Sequence, residues 1–222
     1  MKLDYNVLDM IFEILGTISF AFSGAMVGIK RGMDLFGVMA LGVVTALGGG
    51  LVRDLILGNT PPVMFRDSRM AIYAIVSSVL LFMIFYIRFD IIESKWMRRI
   101  TLVMMLFDAL GLGAFTVTGI TTALNMGFEY KFLLLFVGVL TGVGGGALRD
   151  VFASEIPAIF KEQIYAVASF LGAKSCNTGM AEQEMKQTLH PSKSQVYVAW
   201  VLQMTLGRDI MLNLLYYRTL KS

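Results

Sequence analysis

One seven-residue segment of this chain recurs with five of its seven residues unchanged, and the spacing of its two copies constrains the fold more than any other feature. Gly48-Gly49-Gly50-Leu51-Val52-Arg53-Asp54 returns as Gly144-Gly145-Gly146-Ala147-Leu148-Arg149-Asp150, an offset of 96. Pro61 matches Pro157 at the same offset, and Tyr73-Ala74-Ile75-Val76-Ser77 matches Tyr165-Ala166-Val167-Ala168-Ser169 after a small gap. Upstream, Glu13, Gly16, Phe20, Ser23 and Gly24 match Asp108, Gly111, Phe115, Thr118 and Gly119 at an offset of 95. Self-similarity at a fixed period is the signature of a duplicated unit.

The apolar runs say what each unit contains. A helix needs about 20 mostly apolar residues to cross the hydrocarbon core. Such runs fall at 8–29, 35–57, 70–88, 100–123, 131–153, 162–180 and 196–217. Composition excludes a soluble alternative: 56% of the 222 residues are hydrophobic and 16% charged, against roughly 25% charged in a soluble domain. Asp4, Asp9 and Glu13 interrupt the basic-then-apolar order of a cleavable signal, so the first span is expected to stay in the mature protein. The sixth run is the weakest, because Lys174, Asn177 and Thr178 follow its apolar part and 182–195 is the longest polar segment.

The expected fold is therefore all-α: a polytopic membrane protein with seven transmembrane helices. A first three-helix repeat covers 8–88, a second covers 100–180, and a seventh helix covers 196–217. A unit with three spans reverses the chain's direction, so the second repeat is inverted relative to the first. Folds of this type place their permeant site near the midplane, at equivalent positions of the two halves. Lys and Arg in the loops number seven on the N-terminal side and nine on the other, which places the N-terminus outside and the C-terminus in the cytoplasm.

Several functions are excluded. The formal charge of +3 is small and scattered, which argues against a nucleic-acid surface. A single cysteine, Cys176, allows no intramolecular disulfide or Cys-cluster metal site. A single histidine, His190, leaves no Ser-His-Asp triad within the spans. No nucleophile–base pair or metal cluster appears there, so neither an enzyme nor a cofactor is expected.

The motif itself carries the chemistry. Glycine costs roughly 1 kcal/mol relative to alanine in a helix interior, so three in a row favour a kink or an unwound turn. Bare backbone at membrane depth is tolerated where it is buried in protein or lines a watery cavity. Gly48, Gly49, Gly50, Gly144, Gly145 and Gly146 are thus candidates for a pore wall; close helix packing is the alternative. Arg53, Asp54, Arg149 and Asp150 follow at once, and charges within a bilayer face the interior and find partners. Adjacent helical residues point about 100° apart, so each charge is expected to reach another helix, with Glu13, Asp108 and Arg208 available. The alternative is snorkelling of the two arginines and loop capping by the two aspartates. Glu13 and Asp108 occupy matched sites, either to attract cations or to hold the arginines. Ser23, Thr45, Thr118 and Thr141 can line a polar path, as can Thr116, Thr121 and Thr122, although such hydroxyls often bond their own helix.

The doubled GGG-x-x-Arg-Asp motif followed by proline, within two three-span units and a seventh helix, resembles the bacterial relatives of the trimeric intracellular cation channels. That family is also named for the glycine-transporter domain. The resemblance covers about residues 8–173. It implies seven helices, an outside N-terminus, a homotrimer in the membrane lipid, and a pore in each protomer for monovalent cations, chiefly potassium. Carried over, it makes the two glycine runs the kinks of the second and fifth spans. Arg53, Asp54, Arg149 and Asp150 become pore-proximal charges, with Glu13 and Asp108 nearby. The chain departs from the family pattern at Lys174-Ser175-Cys176-Asn177-Thr178, where an apolar run normally continues. The leading expectation is a potassium channel of a bacterial inner membrane. The alternative is a secondary transporter for a small amino acid such as glycine, since inverted repeats serve both.

Overall fold

The computed structural model describes residues 3–87 and 94–161. Among them lie α1 (Leu3–Lys30), α2 (Leu35–Leu57), α3 (Val63–Arg66), α4 (Arg69–Ile87), α5 (Ser94–Asn125), α6 (Lys131–Phe152) and α7 (Ala158–Lys161). Five segments are long and apolar enough to cross a membrane: Met10–Lys30, Leu35–Leu57, Arg69–Ile87, Val103–Asn125 and Lys131–Phe152. They match the first five expected spans; the described residues are all-helical, and the chain is a multi-pass membrane protein. The expected spans at 162–180 and 196–217 lie outside the described residues. The short helices α3 and α7 were not expected, because four residues are too few to show a periodic pattern.

Local chemistry sets the helix ends. The Asp34 side chain accepts the Gly37 N–H at 2.8 Å and caps the start of α2. Its end is closed by Gly58, whose φ of 71° suits a residue without a Cβ. In the bundle, α1 packs on α2, α4 and α5, while α6 packs on α5 and α2.

The duplication extends to backbone conformation. Around Gly32 (φ 69°), Arg31 N donates to Val27 O and Met33 N to Gly28 O; around Gly127 (φ 85°), Met126 N donates to Thr122 O and Phe128 N to Ala123 O. Past the motif, Gly58 N bonds Leu55 O and Asn59 N bonds Asp54 O, while Ser154 N bonds Val151 O and Glu155 N bonds Asp150 O. Ser154 takes the same left-handed conformation as Gly58, at φ 56°. One sequence pairing is corrected. Phe65 N bonds Pro62 O where Phe160 N bonds Pro157 O, so Pro62, not Pro61, is the counterpart of Pro157. The first copy carries one extra residue in this loop, which the sequence comparison placed after the proline.

The glycine runs do not unwind. Residues 48–50 and 144–146 are helical throughout, inside α2 and α6. Their small size is used for contact instead. A Cβ on Gly49 would overlap the Thr141 carbonyl oxygen, and one on Gly145 would overlap the Thr45 carbonyl oxygen. The two helices therefore cross backbone to backbone, each through the other's glycine. Nearby, the Phe20 and Phe115 rings meet with centroids 5.3 Å apart, and each lies over the glycine of the other copy, Gly111 and Gly16.

This contact pattern separates the glycines by experiment. Gly145→Ala forces a methyl group into a carbonyl and is expected to destabilise by about 1–3 kcal/mol. Gly50→Ala meets nothing nearer than Arg53 Nη2 at 3.8 Å and is expected to be neutral or to stabilise by up to about 1 kcal/mol through helix propensity. Thermal unfolding of the purified variants in detergent decides the order.

Candidate functional site

Both motif arginines are buried, so neither snorkels: Arg53 exposes 6% of its surface and Arg149 3%. The expectation that arginine and aspartate of one motif stay apart is also corrected. Arg53 donates from Nε and Nη2 to Asp54 Oδ1, at 2.9 and 2.8 Å. Arg149 donates from the same two atoms to Asp150 Oδ1, at 2.9 and 2.7 Å. The two Cβ atoms diverge around the helix, but arginine is long enough to curl back and lay one edge of its fork on the neighbouring carboxylate. Away from water this charge-assisted pair is stronger than at a surface.

The clasp turns the remaining edge of each guanidinium outward, and the two halves treat that edge differently. Arg149 Nη1 donates to both Asp108 oxygens at 2.6 Å and also to Ser23 Oγ. This clamp joins α6, α5 and α1, as expected for charges that reach other helices. Arg53 Nη1 meets no partner among the described residues, and neither does the carboxylate of Glu13, the counterpart of Asp108.

Instead, Arg53 and Glu13 line one cavity of about 280 Å³. It lies at the end of the bundle where α1 begins and α2 ends, and Met10, Thr17, Gly50 and Met64 share the lining. Asp54 stands at its base with its second oxygen, Oδ2, accepting the Val63 N–H at 2.8 Å. That bond caps α3, where Pro62 has no side chain able to do so. Asp54 thus fulfils the capping alternative while holding Arg53. At the rim, Arg69 Nη2 lies 2.5 Å from Asp67 Oδ2. Hydrogen bonds from the Arg69 side chain and backbone lower the Asp67 pKa from 3.8 to about 2.

The hydroxyls divide in the same way. Thr45 and Thr141 donate to Leu41 O and Val137 O at 2.6 Å, and Thr118 donates to Phe115 O at 3.3 Å. Each satisfies its own helix, and of the four only Ser23 joins a charged cluster. Thr17, Asp67, Arg69 and Met64 were missed in the sequence. Thr17 was within reach of inspection, since it lies one helical turn beyond Glu13 on the same face. Asp67 and Arg69 carried no such signal, because an irregular connection brings them to the cavity. Arg208 lies outside the described residues.

The chain matches the family described as glycine transporter over residues 10–86 and 105–177. It is 40% identical over 160 residues to the inner membrane protein YadS of Escherichia coli K12, covering 72% of this chain and 73% of that one. To a membrane protein of Deinococcus radiodurans it is 37% identical over 163 residues, covering 72% and 71%. Among solved structures, a prokaryotic TRIC channel determined in 0.5 M KCl superposes with a TM-score of 0.80 at 28% identity, over 95% of this chain and 98% of that one. A TRIC trimeric intracellular cation channel orthologue from Rhodobacter sphaeroides gives 0.74 at 27% identity, over 91% and 95%.

The geometry generates two predictions. Arg149→Ala removes the cation that the buried Asp108 faces and is expected to cost about 3–5 kcal/mol, the penalty for breaking a buried pair. Arg53→Ala is expected to cost less, because among the described residues Arg53 holds only the adjacent Asp54 while Arg149 also holds Asp108 and Ser23; thermal unfolding of both variants gives the comparison. The second concerns pH. The Asp67 pKa is depressed on folding, so its stabilisation is present above the unfolded value and is lost as pH falls through the folded value. The stability difference between wild type and Asp67→Asn should hold constant above about pH 4 and shrink between about pH 4 and 2.

Proposed function

The chain belongs to the prokaryotic trimeric intracellular cation channel family, the glycine-transporter-domain family, and on that premise we propose that it is a potassium channel with a pore in each protomer of a homotrimer. The observation that carries this reading is the charged cavity entering the bundle beside the α2–α6 crossing. Its lining sets the carboxylates of Glu13, Asp54 and Asp67 against two guanidiniums, Arg53 and Arg69. Glu13 is unpaired there, so it is available to replace part of a cation's hydration shell. The path runs from this cavity past Gly48–Gly50 and Gly144–Gly146 to the Arg149–Asp108 clamp, with Ser23, Thr45, Thr118 and Thr141 beside it. In this reading the chain comprises two oppositely oriented three-helix units, 8–88 and 100–180, and a seventh helix at 196–217. It lies in a bacterial inner membrane with its N-terminus outside, so the cavity opens outward.

A specific observation also favours a second reading, a secondary transporter for glycine. An unpaired guanidinium edge and an unpaired carboxylate share one cavity, and together they suit the carboxylate and ammonium of a small amino acid. Purified protein in liposomes distinguishes the two. A channel passes potassium down its gradient without saturation, carries no labelled glycine above empty liposomes, and loses several-fold of its flux in Glu13→Gln. Saturable glycine uptake without potassium flux would overturn the channel reading.

A further inference from the structure

The two arginines are held by the same clasp and present the same Nη1 edge, yet one is clamped and the other open. The parts for a second clamp are nevertheless in place. Glu13 is the counterpart of Asp108, and Thr118 is the counterpart of Ser23. Thr118 is buried, and its hydroxyl makes only a long bond, 3.3 Å, within its own helix. A guanidinium edge and a carboxylate of opposite charge line the same cavity, so closure on each other exchanges two water-facing groups for one charge-assisted pair. We propose that the chain has a second conformation in which Glu13 and Thr118 close on Arg53 while Asp108 and Ser23 release Arg149, so that the clamp passes from one arginine to the other.

Helix α1 supplies the coupling. It carries Glu13 toward one end and Ser23 roughly 15 Å farther along, at 1.5 Å per residue. Phe20 lies between them, against Phe115, the matched ring of α5. Tilting α1 about that ring contact brings Glu13 toward α2 and carries Ser23 away from α6. Helix α5 has the matched arrangement, with Phe115 between Asp108 and Thr118. Opposed motion of this kind is what matched half-repeats of opposite orientation permit. The two states exchange one clamp for another, so the energy difference between them is small enough for one substitution to shift the populations.

The inference rests on placing both clusters on one path, and its test is independent of conduction. Met64 on α3 lines the cavity, and its backbone counterpart, Ile159 on α7, packs on Leu112 and Val143 beside the other end. Met64→Cys and Ile159→Cys, each in a Cys176→Ser background, report the two ends through their labelling rates with a charged thiol reagent. Asp108→Asn is expected to slow labelling at 64 and speed it at 159, each by about threefold or more, as a shifted two-state equilibrium requires. Adding Glu13→Gln should abolish the slowing at 64. Ser23→Ala removes one arm of the clamp without stranding a charge and is expected to act in the same directions, which keeps the test decisive if Asp108→Asn does not fold. Reporters that speed up together, or a slowing that survives Glu13→Gln, would overturn the proposal. Potassium flux with reporters that move together sinks the exchange and spares the channel; opposed reporters without flux do the reverse.

Discussion

Two backbone carbonyl groups govern the geometry of this bundle. The oxygens of Thr141 and Thr45 occupy the space where side chains on Gly49 and Gly145 would begin, so α2 and α6 cross with their backbones in contact. Arg53 and Arg149 each follow the crossing glycine by four residues, about one helical turn. Each arginine therefore sits just past the crossing, on the same face of its helix as the glycine. Because Gly49 meets Thr141 and Gly145 meets Thr45, the two helices cross antiparallel and the arginines emerge toward different ends of the bundle. The third glycine of each run faces the guanidinium at ordinary contact distance: Arg53 Nη2 is 3.8 Å from a Cβ on Gly50, and Arg149 Nη2 is 3.9 Å from one on Gly146. Crossing and charge placement thus share a single sequence spacing.

Burying these charges is costly unless every edge is met. The clasp to the adjacent aspartate supplies two of the bonds from within the motif, whatever the rest of the bundle does. The third edge depends on other helices, and there the copies differ. At one end, α5 and α1 close over Arg149 and three helices are locked together. At the other, the arginine and the acid of α1 line a cavity roomy enough for several waters. The same local device thus yields a closed network and an open one, and the difference lies in tertiary packing rather than in the motif.

Much of this was legible in the sequence, and the exceptions have physical causes. The spans were visible because about 20 apolar residues in a row leave little choice of structure. Glu13 and Asp108 were found because duplication marks matched positions whatever their environment. The unwinding expected at the glycines did not occur, because propensity weighs one helix alone while the crossing rewards the missing side chains of both. The Arg–Asp clasp was missed because helical geometry fixes where Cβ points, not where a four-bond side chain ends. Asp67 and Arg69 reach the cavity only through the turn at Gly58 and the short helix α3, and no periodicity encodes that path.

Asp54 gives this arrangement a further property. One of its oxygens holds Arg53 and the other holds the first N–H of α3, the helix that carries Val63 and Met64 into the cavity wall. A single carboxylate is thereby a rivet between a charged side chain and the wall that faces it. Displacing the arginine tugs on α3, and shifting α3 loads the arginine. The cavity's shape and its electrostatic field are mechanically one variable, because one carboxylate sets both.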